Sequence, residues 1–386
     1  MKAKSIHGST FEALKRELEK SMVADFHPTL AIVFTSIHQD RKALCELLSS
    51  HGIDIVGLTS CGEFMDTNHS NGETVMLLLE MPRSYFTILF EEVGGQTFQE
   101  AVTSLTRQTN EAFANPAMIL CSSGFNSKGE YFDGEGLVGF LKKHLKPDTP
   151  FFGGMAGDDR TLSGSYVFTK GQDSDCAVMA LVLDADKVQL QGIAITGWKK
   201  MGIARTVTRS EGNLLYTIDD LPAVDMYLKY LGRKDRTGDK EYRVLDELSM
   251  HYPFITPRDN GETVLRTPLK IDHAENALVI DVEMPTGTKF WFSMPPDFDI
   301  VDHILENASQ MKAATRMEAD ALLIFSCAGR VDVLGPLIHS ENEGLQKIWD
   351  TPMAGFFTYG EYGPDPSGHQ EFHSGACCWV AMQEIS

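Results

Sequence analysis

The chain has 386 residues, of which 42% are hydrophobic, and this size and composition predict a globular protein of two or three domains. Its formal net charge of −20 disfavours binding to nucleic acid or to an anionic membrane surface, because an acidic surface repels phosphate groups. No apolar run reaches the length of a membrane span, and the amino terminus lacks the features of a signal peptide, so we expect a cytoplasmic protein. The seven cysteines are odd in number and include no C-x-x-C pair, so we expect no disulfide framework.

The first predicted helices and strands form a compact unit. Thr10 is expected to cap a first helix, a strand covers residues 29–36, and Asp40 is expected to cap a second helix. A strand at 53–60 follows, and the last strand of the unit covers 73–80. Because a strand–helix–strand segment of this length cannot close as a hairpin, we expect its two strands to pair in parallel through a right-handed crossover.

The same order of elements recurs twice further along the chain. The second copy has strands at 116–123, 149–155 and 176–184, with a helix between the first two. The third copy begins with a strand at 320–327 and ends with one at 375–384. Three copies of one αβαββ-like unit predict an α/β fold with mixed, largely parallel sheets.

The composition changes near residues 212–222, and we place a domain boundary there. Residues 1–220 are predicted to form a first domain that contains two of the units. Residues 221–386 are predicted to form a second domain, in which a β-rich insert at 252–293 and a long helix at about 298–316 precede the third unit.

Each unit contains a turn in which a glycine is followed by an acidic residue, directly after a predicted strand. In open α/β sheets ligands bind at the carboxyl ends of strands, where glycine permits close approach and a carboxylate accepts hydrogen bonds. Two alternatives stay open: the glycines and acids only shape and cap the turns, or the three carboxylates meet as a metal site. The candidate ligand-binding residues are Cys61, Gly62, Glu63, Gly157, Asp158, Tyr359, Gly360 and Glu361.

Signatures of catalysis are sparse. The sequence contains no G-x-S-x-G elbow, no G-x-x-x-x-G-K-[ST] phosphate loop and no H-E-x-x-H helix. Asp158 and Asp159 are candidates for an acid–base pair with Glu361, but no nucleophile is indicated nearby. We therefore expect a binding protein rather than an enzyme.

One histidine is expected to lie in an apolar, extended segment. His251 occurs within ELSMHYPFITP, where Met250 precedes it and Tyr252 follows it. A neutral imidazole with such neighbours is a candidate axial ligand for haem iron. The alternative is a half-buried histidine that is hydrogen-bonded to a main-chain carbonyl. Further candidates are His69, His273 and His373.

The motifs at the three turns resemble those of the FIST family. GLTSCGEF (57–64) and FFGGMAGDD (151–159) are similar to turns of the FIST N domain. GFFTYGEYGP (355–364), followed by FHSGACCW (372–379), is similar to the end of the FIST C domain. The resemblance covers nearly the whole chain.

The resemblance implies a ligand-sensing protein of signal transduction. A stand-alone, two-domain bacterial subset of the family binds haem b, senses nitric oxide and regulates a partner histidine kinase or a cyclic-di-GMP enzyme. This chain resembles that subset in length, so haem b is the expected cofactor, and local chemistry makes His251 the expected axial ligand. The alternative is a FIST sensor of a small polar metabolite, such as an amino acid, without haem. A homodimer is compatible with both predictions.

Overall fold

The fold consists of three copies of one structural unit and a β-rich insert. Within the described residues, the strands form three six-stranded sheets and one larger sheet, and helices cover the six-stranded sheets. The predicted α/β class with mixed sheets is therefore confirmed. The structure is a computed structural model and describes residues 1–22, 25–66, 68–93, 96–244, 248–258 and 261–385.

The first unit is organised around a parallel pair of strands. Its elements in chain order are β1 (Lys2–Gly8), α1 (Phe11–Ser21), β2 (Leu30–Thr35), α2 (Arg41–Ser50), β3 (Asp54–Thr59), β4 (Glu63–Met65), β5 (Asn68–Ser70) and β6 (Thr74–Glu80). β2 and β3 pair in parallel because α2 crosses over between them. The predicted caps are confirmed: Oγ1 of Thr10 accepts from the main-chain N of Ala13 at 3.2 Å, and Oδ1 of Asp40 accepts from that of Ala43 at 3.0 Å. β6 lies beside β2, and β1, which the sequence did not predict, pairs with β6.

The second unit repeats this order after a 3₁₀ turn at Arg83–Tyr85. Its elements are β7 (Phe86–Glu92), α3 (Phe98–Ala112), β8 (Pro116–Ser122), α4 (Gly134–His144), β9 (Phe151–Met155), β10 (Val167–Thr169), β11 (Gln172–Ser174) and β12 (Ala177–Asp184). β8 and β9 pair in parallel, β12 lies beside β8, and β7 lies beside β12. A capping box begins α3, since Thr97 and Glu100 each accept a hydrogen bond from the main chain of the other.

The β-rich insert separates the first strand of the third unit, β13 (Val188–Ile195), from the rest of that unit. The insert contains β14 (Lys199–Glu211), β15 (Leu214–Ile218), β16 (Leu221–Pro222), α5 (Ala223–Tyr230), a 3₁₀ turn (Lys234–Arg236), β17 (Phe254–Pro257), β18 (Thr263–Arg266), β19 (Pro268–Asp272), β20 (Ala277–Ile280) and β21 (Lys289–Met294). Its strands pair antiparallel in the order β18-β17-β21-β14-β15-β20-β19, with β16 beside β15. The insert therefore begins well before the predicted β-rich segment at 252–293.

The third unit closes the chain. Its remaining elements are α6 (Ile300–Thr315), β22 (Ala321–Cys327), α7 (Ala328–Leu334), α8 (Leu337–Trp349), β23 (Met353–Thr358), β24 (Glu361–Pro364), β25 (Gln370–His373) and β26 (Cys377–Glu384). β22 and β23 pair in parallel, β26 lies beside β22, and β13 pairs with β26. Strands from both sides of residue 220 thus share one sheet. Each six-stranded sheet has one parallel pair among its described strands, so the sheets are mixed as predicted but less parallel than expected, because the chain returns through hairpins.

The three units exchange their hairpins in a closed cycle. The β4–β5 hairpin of the first unit pairs with β23 of the third, the β24–β25 hairpin of the third pairs with β9 of the second, and the β10–β11 hairpin of the second pairs with β3 of the first. Each six-stranded sheet therefore combines strands of its own unit with the hairpin of another unit. Because the predicted glycine–acid turns lead into these hairpins, the exchange brings the turns together.

Apolar side chains of the three sheets meet in a shared core. The ring of Phe34 in β2 stacks on that of Phe356 in β23 with centroids 4.5 Å apart, and both belong to the same core as Ile119 of β8. The opposite sheet faces are covered by helices, as where Leu14 and Leu44 pack on the first sheet. Burial on both faces explains the continuous apolar runs of the central strands. None of the described helices combines the length and the apolar character needed to cross a bilayer.

Candidate functional site

The three predicted turns meet in a ring between the sheets. Each follows the second strand of a parallel pair (β3, β9 or β23), so the repeat predicted their equivalent positions correctly. We call residues 59–63, 155–159 and 357–361 the ring of turns. Main-chain hydrogen bonds join each turn to the next: Cys61 N to Phe357 O at 2.9 Å, Met155 N to Gly360 O at 2.8 Å, and Gly157 N to Thr59 O at 2.8 Å.

The two glutamates of the ring, Glu63 and Glu361, are fully buried, and their carboxyl groups are hydrogen-bonded to other groups of the protein. Each accepts a hydrogen bond from the hydroxyl group three residues before it. Glu63 also accepts from the main-chain N of Glu73 at 3.3 Å, and Glu361 accepts from that of Ala376 at 2.9 Å. Burial raises the pKa of Glu63 to about 7 and the pKa of Glu361 to about 8. These contacts favour the turn-capping alternative for both residues, and ligand contact by either one stays a prediction.

Side chains from all three turns meet beside Gly157. The hydroxyl of Tyr359 donates to the carboxylate of Asp158, which also accepts from the main-chain N of Ser163 at 2.6 Å. A Cβ atom on Gly157 would lie 2.5 Å from Sγ of Cys61, so only glycine permits this approach. Burial raises the pKa of the Cys61 thiol to about 12, which keeps it protonated and a poor nucleophile. Over the described ranges no three side chains of His, Cys, Asp or Glu are arranged to hold a metal ion, so the alternative of a carboxylate metal site gains no support.

A cleft of about 620 Å³ lies next to the ring of turns. One wall comes from the loop after β8, with Phe125 and Tyr131, and the other comes from the insert, with Leu269, Asp281 and the exposed residue His273. This volume is within the range of sites for small molecules and cofactors. We refer to it as the cleft.

The inner end of the cleft borders a small cavity of about 30 Å³. Phe125, Tyr131, Leu269 and Asp281 line both spaces, and the small cavity is also lined by Cys327, Thr358 and Tyr359 at the carboxyl ends of β22 and β23. This is the place where open α/β sheets bind ligands. Among the eight predicted ligand-binding residues, Tyr359 borders this cavity. The other predicted residues, which lie in the ring of turns and line neither space, are Cys61, Gly62, Glu63, Gly157, Asp158, Gly360 and Glu361.

Polar groups in the cleft are placed by the fold. The hydroxyl of Tyr131 donates to the main-chain O of Tyr359 at 2.8 Å, which fixes the loop after β8 against the ring of turns. Burial raises the pKa of Asp281 to about 7, although the positive charge of Arg266 opposes this shift. Acidic and basic side chains are present in equal number. The acidic residues are Glu130, Glu241 and Asp281, and the basic residues are Lys240, Arg243 and Lys270.

Sequence reasoning missed the main residues of the cleft. Phe125 and Tyr131 lie in a glycine-rich stretch, 124–136, that follows β8, and such a stretch after a buried strand is a usable signal for a binding loop. Asp281 directly follows the apolar strand β20, but Ile280 precedes it where the turns have a glycine. The glycine–acid pattern therefore could not locate Asp281.

The comparisons with known proteins agree with the motifs at the turns. The family model of the FIST N domain matches residues 29–221, and that of the FIST C domain matches residues 223–364. The chain belongs to the FIST family. An uncharacterized protein of Methanocaldococcus jannaschii is 24% identical over 208 residues, which are 52% of this chain and 39% of that relative. The FIST assignment is thereby confirmed, and FIST domains point to signal transduction. The cleft lies between residues of FIST N and residues of FIST C.

The histidines of this FIST protein differ in their surroundings. The main-chain O of His251 accepts a hydrogen bond from Nε1 of Trp198 at 3.0 Å, and its side chain is half-buried but does not line the cleft. His373 bonds to the main-chain O of Gly363 at 3.0 Å, and burial lowers the pKa of His373 to about 4. Burial likewise lowers the pKa of His69 to about 4. His273 lines the cleft.

The lining of the FIST cleft includes residue types that a haem b group requires, and His273 among them is exposed. His273 would supply the ring nitrogen for the iron, and Phe125, Tyr131 and Leu269 would supply an apolar wall. Lys240 and Lys270 lie in the same lining and suit the propionate groups. His251, the residue predicted from the sequence, lies outside this lining, although its neighbour Met250 borders the small cavity. Its role as axial ligand stays a prediction, with His273 as the better-placed alternative.

Proposed function

We propose that this FIST protein is a sensor that binds a small ligand in the cleft and signals to a separate partner protein. The observation that supports this most is that the cleft has one wall from FIST N and one from FIST C. A ligand that contacts both walls would stabilise one relative arrangement of the two domains over others. This arrangement would be the signal that the partner recognises.

The first candidate ligand is a small polar metabolite, such as an amino acid. The equal number of acidic and basic side chains in the cleft suits a molecule that carries both charges. When ionised, Asp281 can form an ion pair with a cationic group of the ligand. When protonated, its carboxyl group can donate a hydrogen bond, and both forms occur near neutral pH because its pKa is about 7. The aromatic wall of Phe125 and Tyr131 would cover the apolar part of such a ligand.

Calorimetric titration with the twenty amino acids tests this candidate. Asp281→Asn should weaken a binding amino acid by about tenfold or more, because a charge-assisted hydrogen bond is lost. Glu283→Gln is the matched control, since Glu283 lies close in sequence, is exposed and does not line the cleft. Equal affinities of wild type and Asp281→Asn would refute binding in the cleft.

The second candidate is haem b, with nitric oxide as the signal. The placement of His273 in a cleft with an apolar wall favours it. Haem iron, when bound, would supply the site for nitric oxide. The partner would then be a histidine kinase or a cyclic-di-GMP enzyme, as in the bacterial subset that this chain resembles.

A haem titration followed by absorption spectroscopy separates the two candidates. A Soret band that is lost in His273→Ala and kept in His251→Ala would place haem in the cleft, whereas the opposite result would establish His251 as the ligand predicted from the sequence. Circular dichroism should be unchanged in both variants, since neither ring is in the buried core. Wild-type protein that gains no Soret band would exclude the haem candidate and leave the metabolite candidate.

A further inference from the structure

A second cavity, of about 540 Å³, lies between α4 of the second unit and strands β17 and β18 of the insert. It shares no lining residue with the cleft. Apolar contact surface comes from Val138, Pro257 and Val264. The polar lining of this space, which we call the basic cavity, consists of Glu135, Lys142, Lys143, Arg258, Arg266, His369 and Glu371.

The carboxylates of the basic cavity are already engaged by cations. Oε1 of Glu371 accepts from Nζ of Lys142 at 2.6 Å, and Oε2 accepts from Nη1 of Arg258 at 2.6 Å. Oε1 of Glu135 accepts from Nη2 of Arg266 at 2.8 Å. One glutamate therefore serves two cations, and these ion pairs also connect the second unit to the insert.

Positive charge in the basic cavity exceeds what its carboxylates can neutralise. The two lysines and two arginines face two glutamates, which leaves a formal excess of two positive charges in a chain whose net charge is −20. Lys143 forms no ion pair within the described ranges. Asp365 and Asp281, which lie outside the lining, act on Arg258 and Arg266 and offset part of this excess. Ion pairs that only connect the second unit to the insert would not require an excess of cations.

Two guanidinium groups in the basic cavity have unused N–H donors. Nε of Arg258 and Nη1 of Arg266 are buried and have no hydrogen-bond partner among the described atoms. The Arg266 residue is only 7% exposed, so water replaces such a partner poorly. Burial also lowers the pKa of Arg258, as expected for a cation whose charge is incompletely compensated. A buried donor without a partner is costly, and a bound anion would remove that cost.

We propose that the basic cavity binds the phosphate group of a small organic phosphate ester. A phosphate monoester carries about two negative charges at neutral pH, which the lysines and arginines of the lining would attract. Guanidinium groups bind phosphate oxygens with paired N–H donors, and Arg258 and Arg266 both line the site. The volume is far larger than a single phosphate ion needs, and the apolar wall offers contact to an organic group.

Ribose 5-phosphate and ribose are suitable probes, because they share the pentose and ribose lacks the phosphate group. We expect calorimetry in phosphate-free buffer to detect ribose 5-phosphate but not ribose, and inorganic phosphate to bind at least tenfold more weakly than the ester. Lys143→Ala should weaken ribose 5-phosphate by about tenfold without loss of folding, since Lys143 is exposed and makes no ion pair among the described residues. Lys170→Ala, on the exposed turn between β10 and β11, should bind like wild type.

Three results would overturn the proposal. One is an absence of heat with ribose 5-phosphate, and another is an affinity that is equal in Lys143→Ala and in wild type. The third is a phosphoserine peptide that binds more tightly than ribose 5-phosphate, because the site would then serve a protein partner. The cleft is tested with other probes and with Asp281→Asn, so failure of one site is distinguishable from failure of the other.

Discussion

Replacement of Glu361 by glutamine tests whether the ring of turns is held by a neutral carboxyl group. Glu361 is fully buried, and its Oε2 accepts from the main-chain N of Ala376 at 2.9 Å while its Oε1 lies within hydrogen-bond distance of the Thr358 hydroxyl. Burial raises the pKa of Glu361 to about 8, so the group is protonated at pH 5. Glutamine has the shape and the donor and acceptor groups of a protonated glutamic acid. At pH 5 the free energies of unfolding should therefore agree within about 1 kcal/mol.

The two proteins should diverge as the pH rises. A glutamate in the unfolded chain loses its proton near pH 4.3, whereas folded Glu361 keeps its proton until about pH 8. Between these values the folded state binds more protons than the unfolded state, so the stability of the wild type falls as the pH increases. A pKa difference of this size corresponds to roughly 4–5 kcal/mol, and glutamine, which does not titrate, avoids this loss.

Urea unfolding at pH 5, 7 and 9, followed by tryptophan fluorescence, measures the difference. Glu361→Gln should gain stability relative to wild type at each step, and contributions of other buried acids cancel because both proteins contain them. Glu318→Gln removes an exposed carboxylate and should show no such trend. A glutamine variant that is several kcal/mol less stable than wild type at pH 7 would mean that folded Glu361 is already ionised at that pH, and the reasoning would be refuted. Weaker ligand binding by a stably folded variant would instead support the ligand contact predicted from the sequence.

Two further sets of substitutions test the packing of the fold by chemical denaturation. Gly157→Ala should lower the free energy of unfolding by about 1–3 kcal/mol, because the new Cβ would lie 2.6 Å from the main-chain N of Cys61. In the control variant Gly139→Ala the new Cβ meets no atom within 4 Å, and the substitution should stabilise α4 by up to about 1 kcal/mol. Equal stabilities of the two variants would contradict the close approach at Gly157. Arg330 and Glu341 form a fully buried ion pair, so Arg330→Met should cost about 3–5 kcal/mol, and addition of Glu341→Leu should restore most of it. A double variant as unstable as Arg330→Met would show that the cost does not arise from the unpaired carboxylate.

The repeat could be predicted because its central strands are buried on both faces. Their sequences, such as 29–36 and 116–123, are continuous apolar runs, and the observed β2 and β8 lie within them. The caps Thr10 and Asp40 marked the helix starts correctly because capping is a local interaction. Local signals and burial therefore account for most of what the sequence predicted.

Two edge strands were not predicted. β11 (Gln172–Ser174) is too short to show a period, and the hairpin that contains it joins β3 of another unit through β10. β1 (Lys2–Gly8) is largely polar on its exposed face and resembles a terminal extension. Such strands are defined by the edge that they join, which is a property of the whole fold.

The turns were located correctly, but their chemistry was not determined by the sequence. A carboxylate after a glycine can face a ligand or its own chain, and only burial distinguishes the two cases, as at Glu63 and Glu361. The cleft combines Tyr131 with Asp281, which come from different domains of the sequence. No local pattern connects them, because their proximity results from the way the insert packs on the second unit.

The cyclic exchange of hairpins has a consequence for a single unit in isolation. In the first unit, for example, β3 would lose its partner β10 and would expose a free edge. The β4–β5 hairpin would likewise lose β23, the strand with which it pairs. Three separate copies would satisfy every edge by the same heterologous contact, and the contact would close after one turn because the cycle in the intact chain closes. A fragment of this kind is therefore expected to assemble as a swapped trimer, and the present chain has the architecture that gene fusion of such a trimer would produce.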